Sequence, residues 1–157
     1  MKALFLFSIL FIEACMPSNV YDAPKTMDLI AKTEAAAPNS IYGVYRFKVK
    51  SAARRGNVVF LNTEDDYRDR RSVAIVLDLE EIKQLTELHG QSPEVFFLDK
   101  QVEVVGEAYR AKVNLYCLPG VKPTEYYYQT WISVQHYDFI KVINEIEEVT
   151  QTEFKSP

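Results

Sequence analysis

From Gly43 the chain alternates between apolar and polar positions. In Gly43-Val-Tyr-Arg-Phe-Lys-Val-Lys50, Tyr45, Phe47 and Val49 point one way and Arg46, Lys48 and Lys50 the other. That period of two predicts a half-buried strand with a cationic outer face. Arg54-Arg55-Gly56-Asn57 supplies turn chemistry, and Val58–Asn62 reads as the partner strand of a hairpin. A charged connection, Thr63–Arg71, leads to Ser72-Val-Ala-Ile-Val-Leu77, apolar enough for a strand buried on both sides. The period then lengthens. Leu79, Ile82, Leu85 and Leu88 recur at helical spacing, Asp78 and Glu81 form a capping-box pattern, and His89-Gly90 ends the helix. After Pro93 come a fourth strand, Gln101–Tyr109, a long loop, and a final interrupted strand, Trp131–Val134 with Phe139–Ile143. Residues 145–157 read as a polar, acidic tail.

Upstream of the alternation, residues 16–40 have the composition of a tether, with Pro17, Pro24 and Pro38 among small polar residues. Within it, Thr26–Ala37 fits a short helix with Met27, Ile30 and Ala31 on one face, and fits a free spacer as well. Three strands, one helix and two strands over residues 41–144 define a mainly β class. Their order is that of the five-stranded OB-fold, a partly open Greek-key barrel with a helix between strands three and four. A sandwich would want more strands and no central helix.

The segments Gly56-Asn-Val-Val-Phe-Leu-Asn62 running into Asp66-Tyr67, Val73-Ala-Ile-Val76 and Val102-Glu-Val-Val-Gly106 resemble a family of small bacterial OB-fold proteins. Its members are often exported or lipid-anchored and are described as nucleic-acid-binding. The resemblance runs from Tyr42 to Ile143 and departs between Arg110 and Thr130, where the family carries a shorter β-hairpin. It implies the barrel, and function follows less directly than fold.

The first fifteen residues bear on location. Lys2 is followed by an apolar run from Ala3 to Ile12, too short to span a bilayer, which needs about 20 residues. Ile12-Glu-Ala-Cys15 resembles the lipobox of bacterial lipoproteins, in which the cysteine becomes the lipid-bearing first residue, although Glu13 is unusual at its place. The expectation is an exported protein anchored through Cys15, at the outer membrane facing the periplasm. Loss of residues 1–15 removes Lys2 and Glu13 together, so the net charge of −4 is unchanged. What remains suits one domain with a real core. Cys117 then has no cysteine to pair with, and reads as a small buried hydrophobe.

Charge is uneven. Arg46, Lys48, Lys50, Arg54, Arg55, Arg68, Arg70 and Arg71 face only Glu64, Asp65, Asp66 and Asp69 within the same stretch. In an OB-fold this region covers the surface that holds oligonucleotides and oligosaccharides. Bases need exposed aromatic faces, for which Tyr45, Phe60 and Tyr67 are candidates. A second set, Tyr116, Tyr126, Tyr127, Tyr128 and Trp131, lies in and after the loop between strands four and five. The plainer reading is that Arg46, Lys48 and Lys50 are a wet strand face and that the charges of residues 64–71 neutralise one another. Three consecutive tyrosines cannot all be buried in a strand, so the loop offers a contact surface.

No Gly-rich phosphate loop, His-Glu-x-x-His or Cys-x-x-Cys is present, so the sequence offers no cofactor, metal or catalytic motif. The expected function is a non-catalytic binding module for single-stranded nucleic acid or another polyanion. The alternative is an envelope scaffold that grips a protein or glycan partner through its aromatic loop.

Overall fold

The computed structural model describes residues 26–115 and 125–143, and the backbone of residues 20 and 21. The expectations placed on Cys15, Tyr116, Cys117 and the C-terminal tail lie outside the described residues. In chain order the elements are β1 (Val20–Tyr21), α1 (Thr26–Ala36), β2 (Ile41–Lys48), β3 (Ser51–Arg55), β4 (Val58–Asn62), β5 (Val73–Leu77), α2 (Leu79–His89), α3 (Pro93–Phe96), β6 (Gln101–Leu115), β7 (Glu125–Ser133), a 3-10 turn (Tyr137–Phe139) and β8 (Ile140–Val142).

These segments reduce to the five strands of an OB-fold barrel, with β1 added parallel to the edge of β2. β2 and β3 are one bent strand: β2 pairs antiparallel with β6, β3 pairs antiparallel with β4, and only Val49 and Lys50 separate them. At the bend the Val49 amide donates to the Lys100 carbonyl and the Lys50 amide to the Asn62 carbonyl, each at 2.9 Å. Because the path β2-β6-β7-β5-β4-β3 begins and ends on that same strand, the sheet closes on itself. β7 and β8 likewise share one edge of β6 and form the interrupted last strand. The parallel pairing of β5 with β7 completes the Greek key. Gly43 of β2 lies opposite Gly106 of β6. A Cβ at Gly106 would collide with the carbonyl oxygen of Ser133.

The barrel interior is filled by the inward set of each strand: Tyr45, Phe47, Val59, Leu61, Ile75, Leu77, Val102, Val104 and Ile132 are almost wholly buried. Every residue of β5 is buried, as its unbroken apolar run requires. Ile82 and Leu85 of α2 join this core. Leu79 and Leu88 instead stay exposed, because an 11-residue helix lying on the barrel needs only a narrow stripe. Asp78 occupies the N-cap without making a side-chain capping bond, while Gly90 ends the helix in the left-handed conformation at φ 69°.

Residues 26–36 are helical and belong to the barrel. The face that packs differs from the expected one. Leu29 is fully buried, and Thr33 hydrogen-bonds through Oγ1 to Thr130 Oγ1 at 3.0 Å, whereas Met27 and Ala31 are exposed. The turn between β3 and β4 is shorter than expected, Gly56-Asn57 alone, with Gly56 at φ 61°. Arg54 and Arg55 are therefore strand residues. The largest departure is the stretch after Tyr109, where β6 runs on to Leu115 and β7 starts at Glu125, so a long hairpin replaces most of the expected loop.

Candidate nucleic-acid interface

The alternation of β4 decides which aromatic faces outward. Val59 and Leu61 point into the barrel, which turns Phe60 out. Cross-strand pairing puts Ala53 opposite Phe60, Phe60 opposite Val76, Ala74 opposite Trp131, and Trp131 opposite Tyr109. Phe60, Trp131 and Tyr109 thus form one outward row. The Phe60 and Trp131 rings meet edge to face at 5.1 Å between centroids, and Tyr109 meets Trp131 at 6.3 Å. Burial, and then the Asp78 carboxylate, pushes the Tyr109 hydroxyl above its ordinary pKa. Tyr45, proposed from its strand position as a stacking platform, is instead a core residue whose hydroxyl donates to the Ile41 carbonyl at 2.6 Å.

A chain of contacts joins this row to the cationic segment. Trp131 Nε1 donates to Gln129 Oε1 at 3.0 Å, and Gln129 Nε2 donates to the Tyr67 carbonyl at 2.8 Å. The Arg55 guanidinium lies 5.3 Å and that of Arg68 5.6 Å from the Tyr67 ring centroid. Burial is the main cause that raises the Tyr127 pKa, with Tyr67 adding to it and Arg55 and Arg68 opposing. Arg55, Tyr67, Arg68, Tyr127 and Trp131 therefore sit on one continuous surface, although more than 70 positions separate the first from the last.

The other cations of the segment are engaged elsewhere. Arg46 binds Glu103 at 2.8 Å, and Lys141 binds the same carboxylate at 3.0 Å. Lys50 pairs with Glu64 at 2.7 Å and Arg54 approaches Glu94 at 3.7 Å. Two Asp-x-Arg turns hold Arg68 on Asp66 and Arg71 on Asp69, each aspartate also accepting the arginine's backbone amide. The hydrogen bonds from Arg71 pull the Asp69 pKa down to about 2. Of this segment's cations, Lys48, Arg55 and Arg70 have no carboxylate partner among the described residues. Most of the local positive charge is thus balanced within a few ångströms.

Sequence reasoning missed the hairpin's own cations. Lys112 lies opposite Tyr128 and Asn114 opposite Tyr126. The Arg110 guanidinium stands 3.6 Å from the Tyr128 ring centroid and Lys112 Nζ stands 4.0 Å from that of Tyr126. The two tyrosines touch edge to face at 5.6 Å; Tyr126 is 53% and Tyr128 44% exposed. The signal was present as alternation in Arg110-Ala-Lys-Val-Asn114, but it locates nothing until the strand register is known. Among the described residues no group of three His, Cys, Asp or Glu is placed to hold a metal ion.

No family model matches the chain, and no curated protein matches it. Among solved structures it is similar to a protein described as an aspartyl-tRNA synthetase from Leishmania major Friedlin, with a TM-score of 0.46 and 13% identity over 91% of this chain. It is also similar to the aspartyl tRNA synthetase from Entamoeba histolytica, with a TM-score of 0.42 and 18% identity over 78% of this chain. The chain spans only 23% and 25% of the lengths of those two proteins. The OB-fold assignment rests on the strand register described above.

Proposed function

We propose that this chain is a non-catalytic OB-fold module that binds single-stranded nucleic acid on the outward face of its barrel. Phe60, Trp131, Tyr109 and Tyr67 offer ring faces and edges for bases, and Arg55 stands beside them for phosphates. The observation that carries this reading is the Arg55–Tyr67–Gln129–Trp131 chain of contacts, which makes one surface of cations and aromatics drawn from distant parts of the sequence. Lys48, Arg70 and the hairpin pairs Arg110–Tyr128 and Lys112–Tyr126 extend the supply of charge.

The test titrates the full chain against a fluorescent single-stranded oligonucleotide at two salt concentrations. The expected result is binding that weakens steeply with salt and is lost in Trp131→Ala and Arg55→Ala. No binding at low salt overturns the reading and favours the protein or glycan partner, whose capture would depend on the exposed Tyr126 and Tyr128 and vary little with salt. Anchoring through Cys15 at the outer membrane, facing the periplasm, is a separate part of the proposal that rests on the sequence alone. Cys15→Ser is expected to move the chain from the membrane fraction to the soluble one, and an unchanged distribution would refute the anchor.

A further inference from the structure

α1, the β6–β7 hairpin and the loop before β5 enclose a cleft of about 560 Å³, a volume typical of small-molecule sites. Ile30 and Ala31 give it an apolar side, and the Arg110–Tyr128 stack gives it a flat, cationic one. Its charges do not cancel. Arg68 is held by Asp66 and Asp69 by Arg71, which leaves Arg70 and Arg110 facing the single carboxylate of Glu34. Ser72 also lines the cleft; it is 1% exposed, and its hydroxyl has no hydrogen-bond partner, an arrangement that buried hydroxyls rarely tolerate.

The cleft adjoins the outward face. Arg68 and Tyr127 line it, and Arg68 also lies over Tyr67 beside Arg55. Resting on the nucleic-acid reading, we infer that the cleft is a subsite for one nucleotide unit. The base lies against the Arg110–Tyr128 stack, since guanidinium planes and tyrosine rings both accept a flat π-face. The phosphate is held by Arg70, and the sugar or base edge lies toward Ser72. The unit is either a free nucleoside monophosphate or the next nucleotide of a strand already lying on the barrel.

The full chain would be titrated with adenosine and uridine monophosphates while the amide signals of Ser72 and Thr130 are followed. Saturable shifts of both signals are expected. Ala31→Phe fills the cleft from an exposed helix position and leaves the core intact; it and Arg70→Ala are each expected to weaken mononucleotide binding by about tenfold or more. Leu88→Ala, exposed on α2 and outside both the cleft and the outward face, is expected to leave mononucleotide affinity within about twofold. If Ala31→Phe also weakens a bound oligonucleotide, the unit belongs to a strand; if it does not, the cleft takes the free nucleotide. Absence of the shifts, or mononucleotide affinity unaltered in Ala31→Phe and Arg70→Ala, overturns the subsite even where the oligonucleotide still binds the outward face. Shifts with no oligonucleotide binding at any salt leave the cleft standing as a free-nucleotide site and remove the strand reading instead.

Discussion

Glu103 on β6 sits between Arg46 of β2 and Lys141 of β8 and accepts hydrogen bonds or ion pairs from both. Burial alone would push its carboxyl up; the two cations outweigh burial and hold it below its ordinary value of 4.5. The ionised form is thus favoured by folding, and linkage fixes the sign. This stabilisation is complete above the ordinary value and is lost as pH falls through the lower folded one. Glu103→Gln is expected to lower stability near neutral pH by about 1 kcal/mol and to flatten the acid side of a plot of Tm against pH. An unaltered acid slope would show that the carboxylate is not linked to folding. Hydrogen bonds from Arg71 hold Asp69 at about 2, yet the pair is solvent-exposed, so its effect belongs to loop geometry more than to stability. At this scale the sequence was legible in part. Alternation showed that Phe60 and its neighbours Val59 and Leu61 part ways, but not which set faces the core. It placed Arg46 on an outer face without showing that Glu103, on a strand far along the chain, would claim it.

Elements succeed or fail here through close backbone approach and through a few buried anchors. Gly106 lies where β7 leaves β6 and where β2 crosses opposite at Gly43, and no Cβ fits beside the Ser133 carbonyl. Gly106→Ala is expected to destabilise the barrel by about 1–3 kcal/mol, measured by denaturant unfolding; a neutral result would mean that β6 can shift off β7 without loss. α1 depends on Leu29, which is fully buried. Leu29→Ala is expected to cost about 2–5 kcal/mol, while Met27→Ala, on the exposed side, should change stability by less than about 0.5 kcal/mol. Equal effects would mean that the helix is not docked. The strand periods and the Gly90 stop of α2 were readable locally because each depends on neighbouring residues. The packing face of α1 and the length of the β6–β7 hairpin were not, because both follow from pairing across the molecule. Thr33 is a poor core residue on hydropathy, and its buried hydroxyl is satisfied by donating to the Ile30 carbonyl and by meeting the Thr130 hydroxyl. Arg110-Ala-Lys-Val-Asn114 and Glu125–Thr130 read as loop until each supplies the other's cross-strand partner.

For the whole molecule, the balance of charge decides how a polyanion would bind. The chain carries a net −4, so general attraction to nucleic acid is absent and the electrostatic part of any affinity must come from locally unpaired cations. The sequence offers eight cations between Arg46 and Arg71, and in the folded barrel Arg46, Lys50, Arg54, Arg68 and Arg71 approach carboxylates. An exposed pair is worth little to stability, but a cation already beside a carboxylate also displaces fewer counterions when a phosphate arrives. Among the described residues of the segment and the hairpin, Lys48, Arg55, Arg70, Arg110 and Lys112 have no carboxylate partner. For single strands each phosphate neutralised contributes about 0.7 to the salt slope, so these five predict a slope of roughly −3.5 in log affinity against log salt. If all eight cations of the segment reached phosphates, the slope would be closer to about −6. Titrations over a range of salt concentrations separate the two values. A slope near the larger figure would mean that binding breaks the Asp66–Arg68 and Asp69–Arg71 turns, and Asp66→Asn with Asp69→Asn would then raise affinity by freeing their arginines. A slope near the smaller one, with those two substitutions altering affinity only slightly, would place the contact on the unpaired cations and the aromatic row.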